Sequence, residues 1–330
     1  MYIIYCDNKN KDIYYTTYNY YCININNTYN LTIGTQHKNT RIRIIIRLNG
    51  NAILSDNYNF NSPKVIVKLK LYNNNRFIDG VSSNGQVSVL EFLKNSGSPL
   101  KYNQNALNLA SMYGKVTVLE WWKHSGLELK YDELSLHMAS LNGQFAVLEW
   151  WKNSGLELKY SENTLDCISG DGNIDLLEWW KNSGLPLKYD ENALALASEY
   201  GHINVLEWWV NSGLKLKYNA FALTGASRSG KVFVLEWWKN SGLELKYDKW
   251  ALNWSSCNGH INVLEWWKHS RLELKYSEDA LQWASLNALE WWKNSGLELK
   301  YDTYTLNYVS SYGNVAVIEW WKRSGLELKI

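Results

Sequence analysis

Cysteine, histidine and paired acidic and basic residues are the side chains here whose spacing could do chemistry. Cys6, Cys22, Cys167 and Cys257 stand far apart, form no Cys-x-x-Cys pair and have no histidine at a zinc-ligand interval. His202 and His260 each follow a glycine, where a turn-stabilising ring is expected, and His124 and His269 take a place that is asparagine in other copies, so they read as surface variants. Glu120 and Lys123, three apart, recur along the chain and read as a weak surface pair. There is no glycine-rich phosphate loop, no Gly-x-Ser-x-Gly and no His-Glu-x-x-His. The sequence predicts no enzyme, no cofactor and no metal site.

Two binding chemistries can also be weighed. Lys101, Lys130, Lys159, Lys188, Lys217, Lys246, Lys275, Lys300 and Lys329 form a ladder that could present a cationic stripe, largely offset by the Glu of each Leu-Glu-Leu-Lys segment. Residues 1–71 carry nine basic residues (Lys9, Lys11, Lys38, Arg41, Arg43, Arg47, Lys64, Lys68, Lys70) against Asp7, Asp12 and Asp56, a net of +6, while the rest of the chain nets −4. Two readings of that face stay open. It is a patch for nucleic acid or an acidic partner, or it is a solvated strand face whose charges discourage edge pairing.

The elements that would position these groups are repeats. Of 19 tryptophans, 16 form adjacent pairs beginning at Trp121, Trp150, Trp179, Trp208, Trp237, Trp266, Trp291 and Trp320. The period is 29 residues, except for a 25-residue step between Trp266 and Trp291. Leu90-Glu91-Phe92-Leu93 is an earlier copy, so nine repeats run from about Tyr72. Each holds two helical signals. In Tyr189–Lys217 the first opens at the cap residue Asp190, carries Ala193, Leu194 and Ala197, and breaks at Gly201. The second carries Val205, Leu206, Trp208 and Trp209 and stops at Asn211-Ser212-Gly213, a left-handed cap. Helices this short are unstable alone, so each must bury its apolar face on its neighbours, as in a solenoid. An indole buries roughly 150–250 Å², so the pairs read as core and not as a row stacking on sugars or bases.

Before Tyr72 the pattern is lost and Asn, Tyr and Ile dominate. We read 1–71 as a small β-rich segment and 72–330 as the repeat array. Lys64–Leu71 alternates with period two, a half-buried strand, and Arg41–Leu48, Asn49-Gly50 and Asn51–Leu54 read as a hairpin. Across 330 residues the net charge is +2 and 46% of residues are apolar, so disorder is excluded and no global case arises for nucleic acid or membrane. No apolar run reaches membrane-spanning length, and the start lacks a signal-peptide pattern. Sparse cysteines fit a reducing, intracellular and cytoplasmic location.

The repeats resemble ankyrin repeats. Asn192-Ala193-Leu194, Ala197-Ser198 and Gly201-His202 match the first part of that pattern, and Val205-Leu206, Trp208-Trp209 and Gly213 the second. Intervals within the repeat fit; the connection is about four residues shorter than in a period of ~33. The wording LEWWKNSGLELKY, as at Leu148–Tyr160, is similar to ankyrin repeat proteins of giant DNA viruses of amoebae. The resemblance implies a mainly α, helix-hairpin solenoid that binds a partner protein, in a host cell if viral. First helices would line its concave side.

Internal variation locates the expected binding residues. Two places four apart on the first helix vary most, one holding Asn108, His137, Thr224, Asn253 and Gln282, the other Met112, Leu141, Glu199, Arg228 and Cys257. These ten are the candidate partner contacts, with nucleic acid not favoured. Arg271 replaces a capping glycine and four residues are missing after Asn287, which predicts a distorted repeat or hinge over 271–290. The last pair, Trp320 and Trp321, is expected to stay partly exposed.

Overall fold

The computed structural model describes residues 2–6, 23–24, 41–48, 51–54, 58–59, 62–68, 70–97, 99–312 and 315–326, in two compact units, 1–161 and 162–330. Strands β1 (Tyr2–Cys6), β2 (Ile23–Asn24), β3 (Arg41–Leu48), β4 (Asn51–Leu54) and β5 (Tyr58–Asn59) begin the first unit. All pairings are antiparallel: β1 lies between β2 and β3, and β3 also pairs with β4 and β5. The β3–β4 register sets Leu48 opposite Asn51; Asn49-Gly50 between them, like Lys9, Lys11 and Lys38, lies outside the described residues.

The strand expected over Lys64–Leu71 is instead helix α1 (Pro63–Lys68) followed by a 3-10 turn, Leu71–Asn73. Pro63 at the first helical position is preorganised for a helix, and Ile66 N–H donates to Ser62 C=O at 3.0 Å. The alternation would have buried Val67 with Leu71; the helix buries Ile66 with Leu71 and leaves Val67 50% exposed. Period two over so short a run also fits one face of a turn of helix.

Helix pairs follow. In the first unit they are α2 (Asn75–Ser83) with α3 (Val87–Asn95), α4 (Asn105–Met112) with α5 (Val116–His124), and α6 (Leu134–Leu141) with α7 (Phe145–Asn153). In the second they are α8 (Asn163–Gly170) with α9 (Ile174–Asn182), α10 (Asn192–Tyr200) with α11 (Ile203–Asn211), and α12 (Phe221–Arg228) with α13 (Val232–Asn240). Then come α14 (Trp250–Cys257) with α15 (Ile261–His269), α16 (Asp279–Gln282) with α17 (Leu286–Asn294), and α18 (Thr303–Tyr312) with α19 (Val315–Arg323).

Local chemistry sets the ends. Asp190 Oδ1 accepts from Asn192 N–H at 2.7 Å at the start of α10. Gly201, at φ 93°, turns the chain so that His202 N–H reaches Ala197 C=O at 2.8 Å. A Cβ on the matching Gly172 would lie 2.5 Å from His202 Nδ1, so the ring of one repeat covers the turn of the one before. This is the turn role expected of that histidine. At the other end Ser212 Oγ donates to Trp209 C=O and accepts from Leu214 N–H.

The two indoles of a pair take different jobs. They meet edge to face, as in Trp208 and Trp209 with centroids 5.0 Å apart. The second is the core: Trp122, Trp151, Trp180, Trp209, Trp238, Trp267 and Trp292 are the largest fully buried side chains. Its Nε1 donates to a serine at the end of the preceding first helix, Trp151 to Ser111 and Trp209 to Ser169, both at 3.0 Å. Ser169 Oγ passes its own proton to Leu165 C=O at 2.8 Å, so the buried polar pair is satisfied. The first indole sits shallower and donates to the glutamate of the preceding second helix, Trp150 to Glu120 and Trp208 to Glu178. Glu120 is therefore the next repeat's hydrogen-bond acceptor, not chiefly the partner of Lys123.

The shortened repeat is altered but stays in register. α16 is only four residues long, and Ser285 Oγ accepts from Ala288 N–H at 3.3 Å to cap α17. Arg271 holds φ 65°, the glycine conformation, despite its Cβ. Trp292 Nε1 still reaches Ser256 at 2.9 Å. The last pair corrects the expectation of exposure: Trp320 and Trp321 are both buried. Trp321 Nε1 has no hydrogen-bond partner, since the matching serine, Ser285, now serves as a helix cap.

Two substitutions test this packing by urea midpoint. Trp209→Ala should cost about 3–5 kcal/mol, well above Trp208→Ala, because only the first empties a fully buried site. Arg271→Gly should gain about 1 kcal/mol by relieving a left-handed residue; no gain would remove strain as a feature of that turn.

Candidate functional site

The first helices lie side by side and closely packed within each compact unit, and the two variable series project from them. The first series is interior. Asn108, Thr224, Asn253 and Gln282 are buried and His137 is half-buried. Asn108 Nδ2 donates to Asp132 Oδ1 at 2.8 Å, and Asn253 Nδ2 to Ser277 Oγ at 2.9 Å. Both acceptors begin the next repeat's first helix, so these asparagines bond repeat to repeat. At the same place Asp166 Oδ1 accepts from Asp190 N–H at 3.2 Å, Thr224 Oγ1 has no hydrogen-bond partner, and Gln282 lines a cavity.

The second series lies nearer the surface. Met112, Leu141, Glu199 and Cys257 are half-buried and Arg228 is exposed. Arg228 pairs with Glu199 of the preceding repeat. Cys257 is a free cysteine whose thiol is pushed up by burial. The face also holds residues that reasoning from the paired tryptophans overlooked. Trp250, Trp254 and Trp283 cluster on α14 and after α16, with centroids 5.9–6.2 Å apart. The signal was in the sequence, because these are the three tryptophans outside the pairs, four and 29 residues apart.

Six lysines of the ladder do not stand free as a stripe; Lys329 lies outside the described residues. Lys130, Lys159, Lys217, Lys246, Lys275 and Lys300 each lie 4.5–4.9 Å over the tyrosine ring that opens their own repeat. Lys217 Nζ also donates to Tyr189 C=O at 2.8 Å, and Tyr189 Oη to Lys215 C=O at 2.9 Å, closing each repeat on itself. Electrostatics on the other side follow the indoles: the Trp266 N–H, then Asn240, hold the exposed Glu236 carboxyl below its ordinary range.

Among the described residues no group of three or more His, Cys, Asp or Glu gathers as a metal ion would need, and no helix is long and apolar enough to cross a membrane. No family model matches the sequence, and no curated protein matches it. Among solved structures, the human ASB11 ankyrin repeat domain is similar over 57% of this chain and 96% of its own, at 17% identity and a TM-score of 0.42. The pentatricopeptide repeat protein PPR10, in complex with an 18-nucleotide psaJ RNA element, is similar over 77% of this chain and 44% of its own, at 13% identity and a TM-score of 0.42. The chain's own stacked helix pairs make it a helical repeat protein.

One buried acid yields a test. Asp166 occupies the asparagine place, and burial, then the neighbouring Asp190 carboxylate, outweigh the Asp190 N–H and push it up to about 7. The folded state then holds a proton that the unfolded state releases near 3.8, so this contribution is complete at low pH and is lost as pH rises through about 7. Asp166→Asn supplies the donor found at 108 and 253. It should raise the urea midpoint at pH 8 by the equivalent of about 1–3 kcal/mol, with the difference shrinking by pH 5. An unchanged gap across that range would refute the buried-acid account.

Proposed function

We propose that this chain is a non-enzymatic scaffold that binds a partner protein along the face of its first helices. The carrying observation is the contrast between the two kinds of position in each repeat. The indole–serine–glutamate framework hardly varies, while Met112, Leu141, Glu199, Arg228 and Cys257 occupy one surface place with five different side chains. A rigid frame with a varied face suits recognition. Asn108, Thr224 and Asn253 are buried behind that face, His137 is half-buried, and Gln282 lines a cavity in it.

The finer reading goes with this proposal. Residues 72–330 form an ankyrin-like array after a β-rich segment, 1–71, for which the antiparallel β1–β3–β4 pairing is the support. The giant-virus likeness of LEWWKNSGLELKY supports action on a host factor in the cytoplasm. A second reading rests on the net +6 of residues 1–71, which would suit nucleic acid or an acidic partner.

Affinity capture with the full chain, paired with a Glu199→Lys, Arg228→Asp double variant, tests the scaffold. Proteins retained by the wild type should be lost or weakened about tenfold on the variant. An identified partner held equally by both would rule out this face, and steeply salt-dependent binding of DNA or RNA would favour the N-terminal reading.

A further inference from the structure

Along the last repeats the first helices turn aromatic. Three residues after the tyrosine that opens the repeat, at or next to the helix start, stand Phe221, Trp250 and Tyr304, with Phe221 62% and Tyr304 66% exposed. One turn further, Trp254, Trp283 and Tyr308 take a place that is Leu109, Met138 and Leu196 in earlier repeats. Trp250 and Trp283 lie nearly parallel, 12° apart, with Trp254 tilted against both. All three rings are only half-buried.

Beside these rings lies a cavity of about 570 Å³, lined by Trp254, Cys257, Trp283, Leu286, Tyr308 and Val309 among others. It sits where α16 stops after four residues, whereas the first helices before it run for eight or nine. The missing turn of helix is the physical origin of the space. Its size is that of an ordinary ligand site, and its walls are mostly apolar.

Charge decides the occupant. Asp248, Glu278, Asp279 and Asp302 stand at or just before the starts of α14, α16 and α18; Lys249 lies among them, and Lys246, Lys275 and Lys300 just upstream are held over tyrosine rings. Lys249 is already engaged, 5.0 Å over the Trp250 ring and 3.7 Å from Asp279. These carboxylates stand four to six residues before Trp254, Trp283 and Tyr308, beside the cavity and not in its wall. Lysine or arginine flanking an inserted side chain would find carboxylates and indole faces, which a phosphodiester chain would not favour.

We propose that this cavity docks a partner-protein segment that inserts one large apolar or aromatic side chain and carries basic residues beside it. The proposal rests on the scaffold reading above and names its anchor site. A buried aromatic anchor in a tryptophan-lined pocket is where binding energy concentrates.

The test uses a phage-displayed library of short random peptides panned on the full chain. Enriched peptides are synthesised and titrated by fluorescence anisotropy against three proteins, with oligouridylate titrated in parallel. The proteins are the wild type, Trp254→Ala, and a variant with Gly-His-Ile-Asn, copied from residues 259–262, inserted between Asn287 and Ala288. The insertion restores the 29-residue period and fills the cavity with a turn that the neighbouring repeat already folds; circular dichroism checks both variants. Enriched peptides should carry Trp, Phe or Leu beside Lys or Arg and lose at least about tenfold in affinity on both variants. Peptides that bind all three proteins equally would overturn the site and leave the scaffold reading standing. Acidic flanks, or oligouridylate displacing the peptides, would overturn the assigned occupant. No enrichment at all would remove the site and weigh against the scaffold reading too.

Discussion

The second indole of each pair is placed where nothing else in the repeat could substitute. It is fully buried, it touches its own repeat's opening tyrosine (Tyr189 to Trp209, centroids 4.7 Å apart), and its N–H crosses to a serine of the preceding first helix. One side chain thus closes its own helix pair and bonds that pair to its neighbour. Helices of eight or nine residues have too little apolar face to hold together otherwise. An indole supplies the area, and the serine removes the penalty of burying its donor. The surface bonds of the first indole to glutamate, and of lysine over tyrosine, add register at smaller energies.

Period, helix count per repeat, turn glycines and the buried role of the tryptophans were all legible from residue spacing. They are local or strictly periodic, and a tandem array shows the same experiment many times. The hydrogen-bond partners were not read, although Ser111, Ser169 and Ser198 recur as regularly as the indoles they serve. An offset of 40 residues joins different repeats, and a pattern sought within one repeat does not display it. Lys64–Leu71 failed for another reason: one apolar run so short satisfies either period, and Pro63 with the burial of Ile66 selects the helix.

The candidate face was legible only in part. Variation among the copies suggests exposure, yet Asn108, Thr224 and Asn253 vary while buried. A buried place can vary when its task is loosely specified: Asn108 and Asn253 bond the start of the next helix, whereas Thr224 Oγ1 has no partner. Asp166 and Asp79 show the boundary of that tolerance. Both sit at this place, both are raised to about 7 by burial, and each keeps an unpartnered carboxylate oxygen.

The four-residue deletion shows how such an array absorbs a defect. Trp291 and Trp292 keep their bonds to Glu265 and Ser256, so the stack passes through the damaged repeat in register. The cost appears in two other places: a cavity where the helix ends early, and one repeat later at Trp321, whose indole N–H is buried without an acceptor because Ser285 has become a cap. Nearest-neighbour stabilisation explains this pattern, since a change in one repeat is felt at its own interfaces and barely beyond. An array held together repeat by repeat can therefore open a pocket in one place without weakening the rest of the frame. The deletion and the unpaired tryptophans beside it belong to one local departure from an otherwise regular pattern.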